Sequence, residues 1–118
     1  MNEIKLQITV ANIQDITRKP QLFLDKLNAE NRQTLQHYLL DNLSDKDGGP
    51  TVDNLAISNF NFDTEARRGR FRLNFTINRR FCCSDIEACG NDYLDFTFTY
   101  NWQTIEAVAQ YFDWSLTN

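Results

Sequence analysis

The feature that constrains this fold most strongly is a pair of stretches in which apolar and polar residues alternate strictly. The first covers Arg70–Asn78 and the second covers Tyr93–Asn101. Their apolar positions are Phe71, Leu73, Phe75, Ile77, Leu94, Phe96, Phe98 and Tyr100. Successive side chains of a β-strand point to opposite faces of the sheet, so each stretch predicts a strand with one buried face and one face in water.

The N-terminal part of the chain predicts one more strand and then a helical hairpin. The alternating apolar residues of that strand are Ile4, Leu6, Ile8 and Val10. Pro20 and Asn28 stand where helices can begin, because proline fits the first helical turn and asparagine caps free N–H groups. The apolar residues that follow them at helical spacing are Leu22, Phe23, Leu24, Leu27, Leu35, Tyr38, Leu39 and Leu43.

A polar loop over residues 44–50 leads into a meander of three strands that begins near Asn54. The first of these strands changes its apolar phase, which predicts a β-bulge near Ser58 or Asn59. A loop is expected from about Cys82 to Asp92, between the second and third strands. The last apolar residues are Ile105, Val108, Ala109 and Phe112. Their helical spacing predicts a C-terminal helix, and a fifth strand near Tyr111 is the alternative.

The order of these elements, β-α-α-β-β-β-α, predicts the fold class. Strands that follow one another instead of alternating with helices are typical of antiparallel α+β proteins. We therefore expect a single α+β domain over residues 1–118, in which a helical hairpin packs on one face of a four-stranded antiparallel sheet and a C-terminal helix follows.

Composition narrows the classes of function. The chain has 118 residues, of which 42% are hydrophobic, and a formal net charge of −4. Such a chain is expected to form one soluble globular core, and its charge disfavours nucleic acid as a partner. No apolar run approaches the roughly 20 residues that span a bilayer, so no membrane association is expected.

The cysteines indicate the compartment. Three cysteines cannot all pair within one chain, and an odd set is typical of a reducing compartment, so a cytoplasmic location is expected. They are Cys82, Cys83 and Cys89. Neighbouring cysteines are poorly spaced to hold one tetrahedral ion, so neither a metal nor any other cofactor is predicted. A disulfide from Cys82 or Cys83 to Cys89 is the alternative.

The candidate site is the polar face of the sheet. Strand parity turns one set of guanidinium, amide and hydroxyl groups away from the core. The predicted partner-binding residues are Arg70, Arg72, Asn74, Asn78, Arg80, Thr97 and Thr99. The competing interpretation is a solvated face whose arginines pair across strands, Arg70 with Asp63 and the far end with Asp95.

Catalytic residues are not predicted. The single histidine, His37, lies in the helical hairpin, and no glycine-rich phosphate loop or nucleophile motif is present. One alternative is a ligand-binding or enzymatic pocket between sheet and helices, lined by Tyr38, Tyr100 or Trp102. Another is a sheet face that contacts RNA, although the strand phenylalanines that could stack on bases share the buried parity.

We therefore expect a small cytosolic protein-interaction module without catalytic activity. It would bind a protein partner or assemble as a homo-oligomer. An acidic protein of this size is also suited to an inhibitor or immunity-type role against a basic active site. The C-terminal Tyr111, Phe112 and Trp114 lie so close together that one of them should stay partly exposed as a contact.

Overall fold

The computed structural model describes residues 3–41, 49–81 and 86–110, with side chains given except at 79–81, 86–89 and 110. Five strands and three helices lie within these ranges. In chain order they are β1 (Glu3–Thr9), α1 (Ile13–Arg18), α2 (Leu22–Asp25), α3 (Ala29–Asp41), β2 (Thr51–Asp63), β3 (Arg68–Phe81), β4 (Ile86–Asn101) and β5 (Thr104–Gln110).

The strands form one antiparallel sheet in the order β1-β5-β4-β3-β2. Strands β2 to β5 are a continuous meander, and β1 joins it at the far edge by pairing with β5, Leu6 opposite Ala107. The α+β class therefore holds. The predicted four-stranded sheet is wrong, because a fifth strand lies between β1 and β4.

That fifth strand replaces the predicted C-terminal helix over residues 104–110. Ile105, Ala107 and Ala109 are buried, whereas Glu106 between them is exposed, so the segment follows the period of a strand. The helical interpretation depended on Val108, which lies on the opposite face, and on Phe112, which is outside the described residues. The two-residue turn at Trp102 and Gln103 returns the chain directly alongside β4.

The helices begin where side chains can cap them. The Asn12 side chain accepts a hydrogen bond from the Gln14 N–H at 2.9 Å, and this short helix, α1, was not predicted. The Asn28 side chain accepts one from the Asn31 N–H at 2.7 Å, which confirms the predicted cap before α3. The described residues between β1 and β2 thus form three helices instead of two.

The core lies between these helices and one face of the sheet. It contains the predicted strand phenylalanines, and aromatic rings connect the two layers. The ring of Phe23 on α2 lies 4.8 Å from that of Phe71, which stacks on Phe96 at 5.0 Å, between centroids. The prediction that the alternating apolar residues of β1, β3 and the C-terminal half of β4 face the core is therefore confirmed.

Strand β2 carries two bulges. Its pairing with β3 shifts between Ser58 and Asn61, where Asn59 has a φ of +54°, which confirms the predicted bulge. A second shift follows Asp53, where Asn54 has a φ of +56°. The two bulges turn Phe60 and Phe62 of this strand toward the core, where both rings stack against Phe98.

Side chains of the helical region form hydrogen bonds with backbone groups of both edge strands. The Gln21 amide donates to the Leu55 carbonyl and accepts from the Ile57 N–H, both at 3.1 Å, as a neighbouring strand would. At the other edge, the Asn31 amide donates to the Gln7 carbonyl at 3.0 Å. Occupied edge groups are less available for pairing with another chain.

The loop predicted from Cys82 to Asp92 is wrong over its second half, because β4 begins at Ile86 and Asp92 pairs with Phe75. Residues 82–85 and 111–118 lie outside the described residues, as does the side chain of Cys89. The disulfide alternative and the proposed contact by Tyr111, Phe112 or Trp114 therefore fall outside what is described. None of the helices within the described ranges is long and apolar enough to cross a membrane.

Candidate functional site on the open sheet face

The face of the sheet opposite the helices displays polar side chains in rows that cross the strands. The register aligns two rows over all five strands. From β2 to β1 they are Asp63, Arg68, Thr99, Glu106 and Gln7, and then Asn61, Arg70, Thr97, Val108 and Lys5. We call these ten residues, together with Ser58, Arg72, Asn74, Tyr93 and Asp95 of the next rows, the open face.

A shallow groove of about 600 Å³ runs along the two complete rows. Gly69 and Val108 contribute to its apolar part, and Arg68 and Arg70 flank it.

Arg72 is held within the sheet by its neighbours on β4. Its Nε and Nη2 donate to the two carboxylate oxygens of Asp95 at 2.8 and 3.1 Å, and its guanidinium carbon lies 3.9 Å from the centroid of the Tyr93 ring. Donation to the Asp95 carboxylate raises the pKa of Arg72. A guanidinium engaged at two oxygens and over a ring has fewer donors left for a partner.

Two predicted partner-binding amides also make cross-strand hydrogen bonds. Asn74 donates to the Ser58 hydroxyl at 2.7 Å, and Asn78 donates to the Asp53 carboxylate at 2.6 Å. These bonds connect β3 to the bulged strand β2. Both amides therefore help to fix the strand register.

Arg68 and Arg70 differ from Arg72, because neither makes an ion pair with the residues that the structure describes. The expected partner of Arg70, Asp63, faces Arg68 instead, and its carboxylate accepts hydrogen bonds from the Glu65 and Ala66 N–H groups of the turn. Arg70 lies between Asn61 and Thr97, and all three are exposed.

The structure thus brings four of the predicted residues to the centre of the open face: Arg70, Arg72, Thr97 and Thr99. Arg80 lies on β3 opposite Glu87, with its side chain outside the description. Sequence reasoning missed Arg68, although it shares the parity of Arg70. It also missed Glu106 and Val108, because the segment that carries them was expected to be helical.

The turn between β4 and β5 presents a second unusual feature. Trp102 and Gln103 occupy its two central positions with φ values of +54° and +63°, and the Trp102 side chain is 93% exposed. The left-handed region favours glycine and asparagine and is uncommon for a bulky residue. The alternative of a pocket between sheet and helices named Trp102 as one possible lining residue, and its exposure to solvent does not fit that alternative.

The other two residues of the expected pocket belong to the core boundary. Tyr38 and Tyr100 are half-buried against the core, and the Tyr100 hydroxyl donates to the Val10 carbonyl at 3.2 Å. Among the described residues, no buried side-chain nitrogen or oxygen lacks a hydrogen-bond partner. No group of three histidine, cysteine or acidic residues there is placed to hold a metal ion.

Comparisons with known proteins add no assignment: no family model, no curated protein and no solved structure matches this chain. The structure therefore defines the class alone, an α+β protein with a five-stranded antiparallel sheet, three helices on one face and a grooved polar face opposite them.

Proposed function

We propose that this chain is a small cytoplasmic protein-interaction module that binds a protein through its open face. The observation that carries the proposal is the pair of exposed arginines, Arg68 and Arg70, beside an apolar groove on a face that no described helix covers. Arginine is enriched at the energetic centres of protein interfaces, where it combines hydrogen bonding with apolar contact.

Exposure alone does not distinguish this face, because antiparallel sheets often have one face in water. What distinguishes this face is the distribution of its hydrogen bonds. Arg72, Asn74 and Asn78 use their donors within the sheet, whereas Arg68 and Arg70 have no ion pair among the described residues. The groove therefore lies where guanidinium donors are still available to a partner.

Charge favours a protein over a polyphosphate or an anionic membrane surface. The chain has a net charge of −4, which opposes the approach of either one. The only aromatic side chain among the open-face residues is Tyr93, which is half-buried beside Arg72, so the face offers little for bases to stack on.

The proposal is tested by using the protein as bait in a lysate of its native host, with Arg70→Glu as the variant and Lys26→Glu as the matched control. Both substitutions reverse one exposed positive charge, but Lys26 lies at the end of α2 on the other side of the molecule. The captured protein is then purified and its affinity measured by calorimetry. We expect Arg70→Glu to weaken binding at least about tenfold, or 1.4 kcal/mol.

Hydrogen exchange of the complex provides the second readout. Protection of peptides from β3 and β4 is the expected result, together with unchanged binding by Lys26→Glu. A partner that binds wild type and Arg70→Glu equally, or that protects the helices instead, would show that the open face is not the binding site.

A further inference from the structure

The turn at Trp102 displays the largest apolar side chain of the molecule in a conformation that disfavours it. An indole ring that is 93% exposed gains nothing from burial, and left-handed φ values at both Trp102 and Gln103 cost free energy that asparagine and glycine would avoid. The monomer alone thus gives no stability reason for tryptophan at this position.

The turn is nevertheless held firmly in place. The Val10 N–H donates to the Gln103 carbonyl at 2.7 Å, and the Tyr100 hydroxyl donates to the Val10 carbonyl at 3.2 Å. The Tyr100 N–H in turn donates to the carbonyl of Arg67, in the neighbouring β2–β3 turn, at 3.0 Å. A side chain on such a fixed support loses little backbone entropy when it binds.

The indole and the groove are chemically complementary. Thr99, which shares a row with Arg68 and Glu106, lies three residues before Trp102 in the chain, so the groove ends close to the turn. An indole is the aromatic ring that binds a guanidinium best, and Arg68 and Arg70 flank the apolar part of the groove. A projecting ring and a concave receptor of matching chemistry are thus present on the same chain.

We propose that the open face is completed by a second copy of this chain, in a two-fold symmetric dimer in which Trp102 of each copy packs against the groove of the other. This inference rests on the proposed function and specifies the partner. Two-fold symmetry lets both rings and both grooves be used at once and closes the assembly.

The charges of the groove are complementary to those of a second copy. The groove is lined by two arginines, Arg68 and Arg70, and by two carboxylates, Asp63 and Glu106, so two positive and two negative charges cancel. The chain as a whole has a net charge of −4. A patch without net charge can face its own copy without repulsion, and its arginines can then meet carboxylates of the other copy.

The test is analytical ultracentrifugation of the full chain from about 1 µM to about 1 mM, which brackets the dissociation constants of weak dimers. We expect the mass to rise from 13.8 kDa toward twice that value. Trp102→Ala should weaken the dimer at least about 30-fold, as the loss of an interface anchor does. The double variant Trp102→Asn/Gln103→Gly should also be monomeric and melt no lower than wild type, because its turn residues favour left-handed φ values.

Fluorescence reports the indole directly. In a Trp114→Phe background, Trp102 is the only tryptophan, since the chain has two. Its emission should move to shorter wavelength as the protein concentration rises, and Lys26→Glu should leave this shift unchanged. A shift produced by phosphatidylserine vesicles, without any change in mass, would assign the ring to a membrane and overturn the inference.

The outcomes separate this inference from the proposed function. If the wild-type protein stays monomeric at every concentration, the inferred dimer is wrong, while the open face can still bind another protein. If Arg70→Glu weakens the dimer but Trp102→Ala leaves it unchanged, only the indole contact is wrong. If neither variant weakens the dimer, the dimer must use another surface, and both the indole contact and the groove contact are wrong.

Discussion

The two faces of this sheet are built from alternate residues of the same strands, yet they do different things. On the covered face, Phe71, Phe96 and Phe98 are almost fully buried and stack against one another and against helix α2. On the open face, the residues between them are exposed or form hydrogen bonds across strands, as Arg72 does with Asp95. One face excludes water, and the other remains in contact with it.

The difference shows where stability and recognition are located. Burial of apolar area contributes about 25 cal/mol per Å², so the covered face supplies most of the folding free energy. Exposed polar pairs contribute little, which leaves the open face free to vary without unfolding the protein. Substitutions on the two faces should therefore separate effects on stability from effects on binding.

The largest expected effect is that of Phe96→Ala on the covered face. Phe96 is 1% exposed and its ring stacks on Phe71 at 5.0 Å, so truncation leaves a cavity in the middle of the core. We expect the free energy of unfolding, measured by urea titration, to fall by about 3–5 kcal/mol.

Thr97→Ala, one residue further on the same strand, is the control. Thr97 is exposed on the open face, so its truncation should change the free energy of unfolding by no more than about 0.5 kcal/mol. Equal losses for the two variants would contradict the assignment of faces.

The second effect concerns Gly69, which lies opposite Phe98 in the sheet. A β-carbon at Gly69 would meet the backbone oxygen of Asn61 and the ring of Phe98, so Gly69→Ala must displace one of them. We expect a loss of about 1–3 kcal/mol in the same urea titration, as overpacking causes.

Gly90→Ala is the matched control on β4, because a β-carbon there would meet no atom within 4 Å. It should be neutral or stabilise the protein by about 0.4–1 kcal/mol, through the lower entropy of the unfolded chain. If Gly69→Ala is tolerated as well as Gly90→Ala, the Phe98 ring does not lie over the glycine.

The alternation of the sequence was sufficient to predict the strands whose two faces differ most. In β3, every apolar residue from Phe71 to Ile77 lies on the covered side, and every polar one lies on the other. Even the bulge at Asn59 could be inferred, because a shift of phase within a strand leaves one residue unpaired.

Strand β5 could not be predicted in the same way. Its inward residues include two alanines, and Val108 on the open face supplies an apolar residue at helical spacing. Whether such a short segment pairs depends on β1, which lies about a hundred residues earlier in the chain. The same error affected the predicted binding site, because Glu106 and Val108 line the groove only as a result of this pairing.

The hydrogen bonding of the arginines could be predicted only in part, because the sequence named Asp95 as a partner but paired Arg70 with Asp63. Parity placed Arg70 and Arg72 on one face, but only the register shows that Asp95 lies opposite Arg72 and Asn61 opposite Arg70. Register also depends on both bulges of β2. The side chains with free donors, which the proposed function requires, therefore became apparent only from the structure.

The smallest expected effect is the coupling between Arg72 and Asp95 on the open face. Although their geometry is bidentate, both side chains are partly exposed, and solvent screens such pairs. A double-mutant cycle of Arg72→Ala and Asp95→Ala should give a coupling in melting temperature below about 5 °C, which shrinks as salt is raised from about 0.05 to about 1 M. Lys5 and Glu3, 4.0 Å apart on β1, form the control pair and should show no measurable coupling.

The pH dependence of this coupling follows from the direction of the shift. The hydrogen bonds that Arg72 donates to Asp95 raise the pKa of Arg72 above that of an unperturbed arginine. A raised pKa in the folded state contributes stability that is fully present below the unfolded value and is lost only as the pH rises through the folded one. The Arg72 contribution should therefore stay constant from about pH 6 to about pH 9. A coupling that changed within that range would show that another group titrates beside the pair, and the open face would then contain a pH-sensitive contact.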